Sequence, residues 1–236
     1  TQMDRDTLGT PSYLEIMVTI AFVYFRAQHC QWAALEVGMG GLRDATNVIP
    51  PPAVAVITAI GRAHAHLIGP TLVDITREKS GIIKAGAHVF TSEPRPALRR
   101  IIQERCNEVR AVWHPELLNL PKATRLAMEG RHQVQNARLA WTVGEYLGIP
   151  IPVRMEAICA TRLPCRWEVV QRRPTIILDG AHNPIALQAI AQRFETIPAK
   201  RRLLMVALAE SKEPTEALHA LPKARDLVFN PGRDLL

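Results

Sequence analysis

Aromatic residues are scarce in this chain, 5% of 236 residues, and cysteine occurs only 4 times. Cys30, Cys106, Cys159 and Cys165 share neither CxxC nor metal-ligand spacing, which excludes a zinc-ribbon or disulfide-framework class and reads as reduced thiols. No apolar run reaches the length of a membrane span. The nearest, Ile16–Phe25, is bounded by Glu15 and Arg26. No secretory leader is visible, so a cytoplasmic protein with no membrane partner is expected. What is present is a large apolar fraction, 47%, sufficient for a buried core, and a net charge of +7. The basic residues fall in short clusters, Arg99-Arg100, Arg172-Arg173 and Lys200-Arg201-Arg202, without interleaved aromatics. Nucleic acid is therefore not the expected partner, although the charge alone would suit a basic binding domain; a solvated basic surface or anionic small ligands fit better.

Hydrophobic periodicity orders the chain. A helix is expected over Tyr13–Gln28, with Ser12 and Glu15 placed as a capping box. A short strand follows at Trp32–Val37, then a glycine-rich loop at Gly38, Gly40 and Gly41. The β-branched run Ala53–Ile60 reads as a strand buried on both faces. Thr71–Ser80 reads as a helix, His88–Thr91 as a strand and Ala97–Val109 as a helix. Trp113–Glu129 reads as irregular, followed by helices at Val134–Leu147 and Met155–Ala160. A second series begins there: strand Thr175–Leu178, helix Pro184–Phe194, strand Leu203–Leu208, helix Pro214–Leu221, strand Asp226–Phe229. Alternation of strand and helix predicts an α/β class with parallel sheets. The Gly/Pro cluster near 148–163 marks the domain boundary.

In open parallel sheets, ligands gather at the carboxyl ends of strands. Glu36 ends the first expected strand, His64 follows the second, and Asp179 closes Thr175–Leu178 with His182 and Asn183 in the turn beyond. A carboxylate and an imidazole on neighbouring strand ends are competent for a divalent cation, while a strand-end Glu is more often a cap or an ion-pair partner and a loop His more often a solvated one. A His in a strand-to-helix turn can also donate to a phosphate or carboxylate.

These residues fall within a longer ordered pattern. L-E-V-G-M-G-G-L-R-D-A-T-N at 35–47, I-T-A-I-G-R-A-H at 57–64, R-E-K-S-G-I-I-K-A-G at 77–86, G-R-H-Q-V-Q-N-A at 130–137, L-P-C-R-W-E at 163–168 and L-D-G-A-H-N-P at 178–184 resemble, in order, the motifs of folylpolyglutamate synthases and dihydrofolate synthases, members of the Mur ligase superfamily. The resemblance implies a Mur-ligase-like central ATP- and Mg-binding domain with a parallel-rich sheet over 1–155, followed by a smaller Rossmann-like α/β glutamate-ligase domain over 156–236. It implies an ATP-dependent ligase that adds L-glutamate to folate or dihydropteroate through an acyl phosphate, acting as a monomer. Glu36 and His64 fall on its magnesium ligands, with two Mg²⁺ sites, and Lys79 on its carbamylated lysine. Asn136, Arg166 and Asp179 fall on ATP-contacting positions, and His182 beside the phosphate and incoming glutamate. Ser12, Tyr13, Leu14 and Glu15, with Arg43, Asp44 and Ala45, match segments near the pterin-bearing substrate. Lys79 is thus expected to face Glu36 and His64, and Lys84 to be left to solvent.

Departures from the family pattern are also legible. The G-x-x-x-x-G-K-[ST] phosphate loop is not found in these 236 residues, and an internal fragment of a family member is expected. The alternative is an inactive, truncated remnant that at most binds nucleotide or pterin. Ala63 stands where the family has Asp, Cys165 where it has Gly, Leu42-Arg43 where it has Arg-Leu, and Val18 where it has Thr.

Overall fold

Ser12 opens the first helix, α1 (Tyr13–Ala27), by the expected reciprocal cap: its hydroxyl accepts from the Glu15 N–H at 3.3 Å, and the Glu15 carboxylate accepts from the Ser12 N–H at 2.7 Å. The structure is a computed structural model and describes residues 9–62, 65–128, 130–181, 184–209 and 226–232. The chain divides into two compact units, one formed by the residues up to Leu126 with Gly130–Ala160, the other by the chain from Thr161 onward with 127–129.

The first unit is built on three parallel strands. β1 (Val54–Ile57) pairs with β2 (His88–Thr91), and β2 with β3 (Val112–His114). A short helix α2 (Ala65–Ile68) and α3 (Leu72–Ser80) connect β1 to β2, and α4 (Pro96–Val109) connects β2 to β3. Thr71 caps α3 through a capping box with Asp74, and Pro96 starts α4 where its missing N–H costs no hydrogen bond. Helices α3 and α4 pack together, and Ile57, Ile60, Ile75, Ile83, Val89, Leu98, Ile102 and Cys106 form the core. Each fully buried branched side chain there contributes about 1.5–3 kcal/mol. Beyond lie α5 (Arg131–Tyr146) and α6 (Ile151–Ala160). Arg154 of α6 lies over the Trp141 ring at 4.1 Å and pairs with Glu145, fastening the two helices.

In the second unit β4 (Glu168–Arg172) and β5 (Thr175–Leu178) form an antiparallel hairpin. Helix α7 (Pro184–Thr196) follows, and β6 (Leu203–Ala209) pairs in parallel with β7 (Asp226–Gly232). The expected helix Pro214–Leu221 lies outside the described residues.

Four expectations are corrected. Trp32–Val37 is not a strand: it joins no ladder to a described strand, and most of it is exposed, so Glu36 does not close a strand. A short apolar run acquires strand geometry only with a partner to hydrogen-bond. β1 stops at Ile57 and is buried on one face only: Ala55 and Ile57 are buried, while Val56, which points to the other face, is 40% exposed. The stretch read as irregular begins with β3, a strand too short to announce itself by alternation. Finally, the strands are not all parallel: β4, unread in the sequence, turns back on β5.

Candidate active site

Lys79 lies on the last turn of α3, half-buried, followed by the buried Ser80 and Gly81. The G-G-L-R-D turn seats against that helix end. A Cβ on Gly41 would lie 2.8 Å from the Lys79 carbonyl oxygen and 2.9 Å from that of Glu78, so only glycine lets the two backbones approach this closely. The Leu42 N–H donates to the Glu78 carbonyl at 2.9 Å, and the Arg43 N–H to Glu78 Oε1 at 3.3 Å. Asn47 Nδ2 donates to the carbonyls of Leu42 and Gly81 at 3.1 and 3.2 Å. The A-T-N part of the motif is thereby a strap tying the turn to the end of α3.

Asp44 is buried within this strap. Its carboxylate accepts from the Met39 N–H at 2.8 Å, the Thr46 N–H at 2.9 Å and the Thr46 hydroxyl at 2.6 Å. Burial pushes the Asp44 carboxyl up, but these hydrogen bonds outweigh it and hold it below its ordinary range. Burial likewise lowers the Lys79 ammonium below the ordinary lysine value, with the negative charge of Asp44 opposing the shift. Lys79 therefore gives up its proton more readily than a surface lysine, which is what reaction of its amine with CO₂ requires. Lys84 overturns the expectation of a solvated charge: its Nζ donates to the Asn47 carbonyl at 2.7 Å and to that of Ile49, because these carbonyls at the end of the 3₁₀ turn Ala45–Val48 need donors.

Glu36 is exposed in the irregular segment before the turn, and Arg43 is exposed within it, while Ala45 starts the 3₁₀ turn that Asp44 caps. His64 and His182 lie outside the described residues. Among the described residues no three His, Cys, Asp or Glu side chains gather as a metal cluster. By residue chemistry alone, the exposed Glu36 carboxylate is a hard-cation donor, and a carbamate on Lys79 would carry two further oxygens. Asp44 is not available for this, since its oxygens are engaged by the strap.

Ser12 and Glu15 are committed to the cap of α1, their side chains 2.7 Å apart, whereas Tyr13 is 78% exposed and Leu14 packs against Gly38. Asn136 occupies the second turn of α5, its Nδ2 donating to Gln133 Oε1 at 3.3 Å. In the second unit, Asp179 follows β5 and accepts from the Trp167 N–H at 2.7 Å and the Ala181 N–H at 2.8 Å. The Gly180 N–H donates to the Cys165 carbonyl at 2.8 Å, and Arg166 Nη1 lies 3.4 Å from where a Gly180 Cβ would be. The C-R-W and D-G-A segments are thus one interlocked pair of turns carrying Arg166 and Asp179.

One residue escaped the sequence reading. Glu93, its side chain fully buried after β2, accepts from the Ile60 N–H at 2.7 Å, the Arg95 N–H at 2.9 Å and Arg95 Nε at 2.6 Å. Arg95 Nη2 in turn donates to the Ile60 carbonyl. Burial pushes the Glu93 carboxyl up, but the bonds from Arg95 and Ile60 hold it below its ordinary range. Both main-chain groups of Ile60 are thereby held where the chain leaves β1. The only hint in the sequence is a charge pair two residues apart, E-P-R, directly after a strand.

Residues 165–230 match the family model described as Mur ligase, glutamate ligase domain. The dihydrofolate synthase/folylpolyglutamate synthase of Bacillus subtilis is 30% identical over 241 residues, covering 90% of this chain and 56% of that protein. The folylpolyglutamate synthase of Arabidopsis thaliana is 31% identical over 217 residues, covering 80% of this chain and 38% of its own length. The chain thus spans about half, or less, of the curated relatives it matches. Among solved structures, the Mycobacterium tuberculosis folylpolyglutamate synthase complexed with ADP and AMPPCP superposes with a TM-score of 0.81 at 26% identity, covering 97% of this chain and 58% of that one. In sequence over 90% of its length and in fold over 97%, the chain is similar to the folylpolyglutamate synthase/dihydrofolate synthase family of Mur ligases.

Proposed function

We propose that this chain forms part of an ATP-dependent ligase that joins L-glutamate to the carboxylate of a folate or of dihydropteroate. The observation that carries the reading is the half-buried Lys79, its ammonium lowered by burial, strapped beneath the G-G-L-R-D-A-T-N turn. The nucleotide follows from the ADP and AMPPCP bound by the M. tuberculosis relative, and the acceptor class from the relatives' names.

In the reaction, a substrate carboxylate oxygen attacks the γ-phosphorus of ATP and ADP departs, leaving an acyl phosphate. The glutamate amine then attacks the acyl carbon, loses a proton, and phosphate leaves. Reactants and intermediates are anionic, so the protein acts chiefly by positioning and by charge stabilisation. The neutral Lys79 amine adds CO₂ and releases a proton, giving a carbamate. Glu36, His64 and that carbamate would hold Mg²⁺, which when bound neutralises phosphate charge. Asn136, Arg166 and Asp179 serve the nucleotide, with Asp179 preorganised by two main-chain donors. His182 serves the phosphate and the incoming glutamate. The exposed Tyr13 and Arg43, with Leu14 and Ala45, face the pterin-bearing substrate, while Ser12, Glu15 and Asp44 support them through the helix cap and the strap. Glu93 and Arg95 hold Ile60 where the chain leaves β1. A monomeric, cytoplasmic protein is part of the same reading; no described helix is long and apolar enough to cross a membrane.

The test is phosphate release dependent on ATP, Mg²⁺, glutamate and a folate, measured on the chain and on the polypeptide extended to its relatives' length. Lys79→Ala in the extended protein is expected to lower the rate at least about 100-fold, as for loss of a transition-state charge stabiliser. Added bicarbonate should raise the rate of the unsubstituted protein alone. Full activity in Lys79→Ala would overturn the assignment of that lysine. Nucleotide binding without turnover by the extended protein would point to a non-catalytic remnant.

A further inference from the structure

We propose that His88 and His114 form a pH-sensitive latch that holds the C-terminal end of α5 on the central sheet. His88 lies on β2 and His114 on β3, and their ring nitrogens Nδ1 and Nε2 meet at 2.9 Å. That distance is a hydrogen bond, in which one nitrogen carries the proton and the other accepts it. In the register of the two strands Phe90 is the neighbour of His114, so His88, Phe90 and His114 share one face, opposite the core residue Val89. Tyr146 of α5 closes over that face: its ring is 4.3 Å from the His88 ring and 5.4 Å from His114, while Phe90 stacks on His114 at 4.3 Å. The end of α5 is therefore seated on a pair of imidazoles.

Such a pair tolerates one added proton, which the N–H···N bond shares. A second makes both nitrogens donors, removes the bond and places two cations side by side. Among the described residues neither imidazole forms an ion pair: the rings packed on them, Tyr146 and Phe90, are neutral, and Glu145, beside Tyr146, is paired with Arg154 of α6. Burial and the charge of His88 both push His114 below its ordinary value. The unfolded chain thus binds more protons than the folded one as pH falls below the ordinary histidine range, and stability falls with it. Above that range the latch is closed and the contribution is constant.

The experiment follows thermal unfolding of the chain at about pH 7.5 and about pH 5, on either side of the ordinary histidine value. It compares the unsubstituted protein with His114→Phe and His88→Gln. The midpoint of the unsubstituted protein is expected to fall on acidification at least twice as far as that of either variant. Equal falls in all three would overturn the latch. Should a variant not fold, the imidazole Cε1–H signals of the unsubstituted protein decide. Two coupled, separated titrations, one below the ordinary range, support the latch, and two coincident ones overturn it.

Discussion

Cys165 adopts a φ of 55°, in the left-handed region, where a side chain is strained by about 1–2 kcal/mol. It stands where the family pattern carries glycine, and the Gly180 N–H to Cys165 carbonyl bond and the Glu168 carboxylate on the Cys165 N–H hold the turn in this conformation. Cys165→Gly is therefore expected to stabilise the second unit by about 0.5–1 kcal/mol, the relief of strain less the added freedom of the unfolded chain. The change would be read as a shift of the urea midpoint without a change in slope. A lower midpoint would show that the cysteine side chain contributes packing that outweighs its strain. Residue-scale legibility was uneven. The position of Cys165 could be flagged from the motif alone, whereas Lys84 could not be told from a surface lysine. Its carbonyl partners, at Asn47 and Ile49, are 37 and 35 residues away in the chain.

At the scale of elements, the strap between the glycine-rich turn and the end of α3 is set by close backbone approach. Gly81 has φ −62°, which any residue adopts, so its substitution tests space rather than backbone freedom. A Cβ there would lie 2.4 Å from the Leu42 Cβ and 2.5 Å from its Cα. Gly81→Ala must push the turn off α3, at a cost of about 1–3 kcal/mol, and should return Lys79 towards an ordinary surface lysine as its cover lifts. Chemical denaturation measures the first effect; the pH dependence of Lys79 labelling by an amine-reactive reagent measures the second. Unchanged stability would mean that the turn is not anchored as described. Helices were well read from the sequence, because α1 and α3 carry capping boxes and α4 a proline start, all of which act within one turn of chain. Strands were read less well. Whether Trp32–Val37 pairs is decided by a neighbour's edge, and β4 with its antiparallel partner has too many exposed residues to show a buried stripe.

For the whole molecule, the two units differ in how much apolar surface their described residues bury. The described core lies in the first unit, on Ile57, Ile75, Val89, Ile102 and their neighbours, while Leu187 and Ala191 are the described buried hydrophobic residues of the second. Hydrogen exchange should follow this difference. Amides of β2 and α4 are expected to exchange only through global opening, and those of β4 and β5, whose residues are mostly exposed, through local opening orders of magnitude more often. Comparable protection in the two units would contradict the described burial. Helix α1 adds a related feature: it buries none of its residues, leaving Ile20, Val23 and Tyr24 exposed among others.

The amino-acid sequence by itself determined the helices with their caps, the α/β alternation and, through the order of its motifs, the family resemblance. These are local in the chain or carried by residue identity, so no tertiary contact is needed to read them. Only the tertiary structure decided that Lys79 is half-covered and lowered by burial, that Asp44 and Asn47 bind the turn rather than stand free, that Lys84 is engaged, and that Glu93 with Arg95 holds Ile60. The physical reason is common to all four. Desolvation and hydrogen-bond satisfaction depend on which distant backbone groups arrive at the same place, and that is settled by packing.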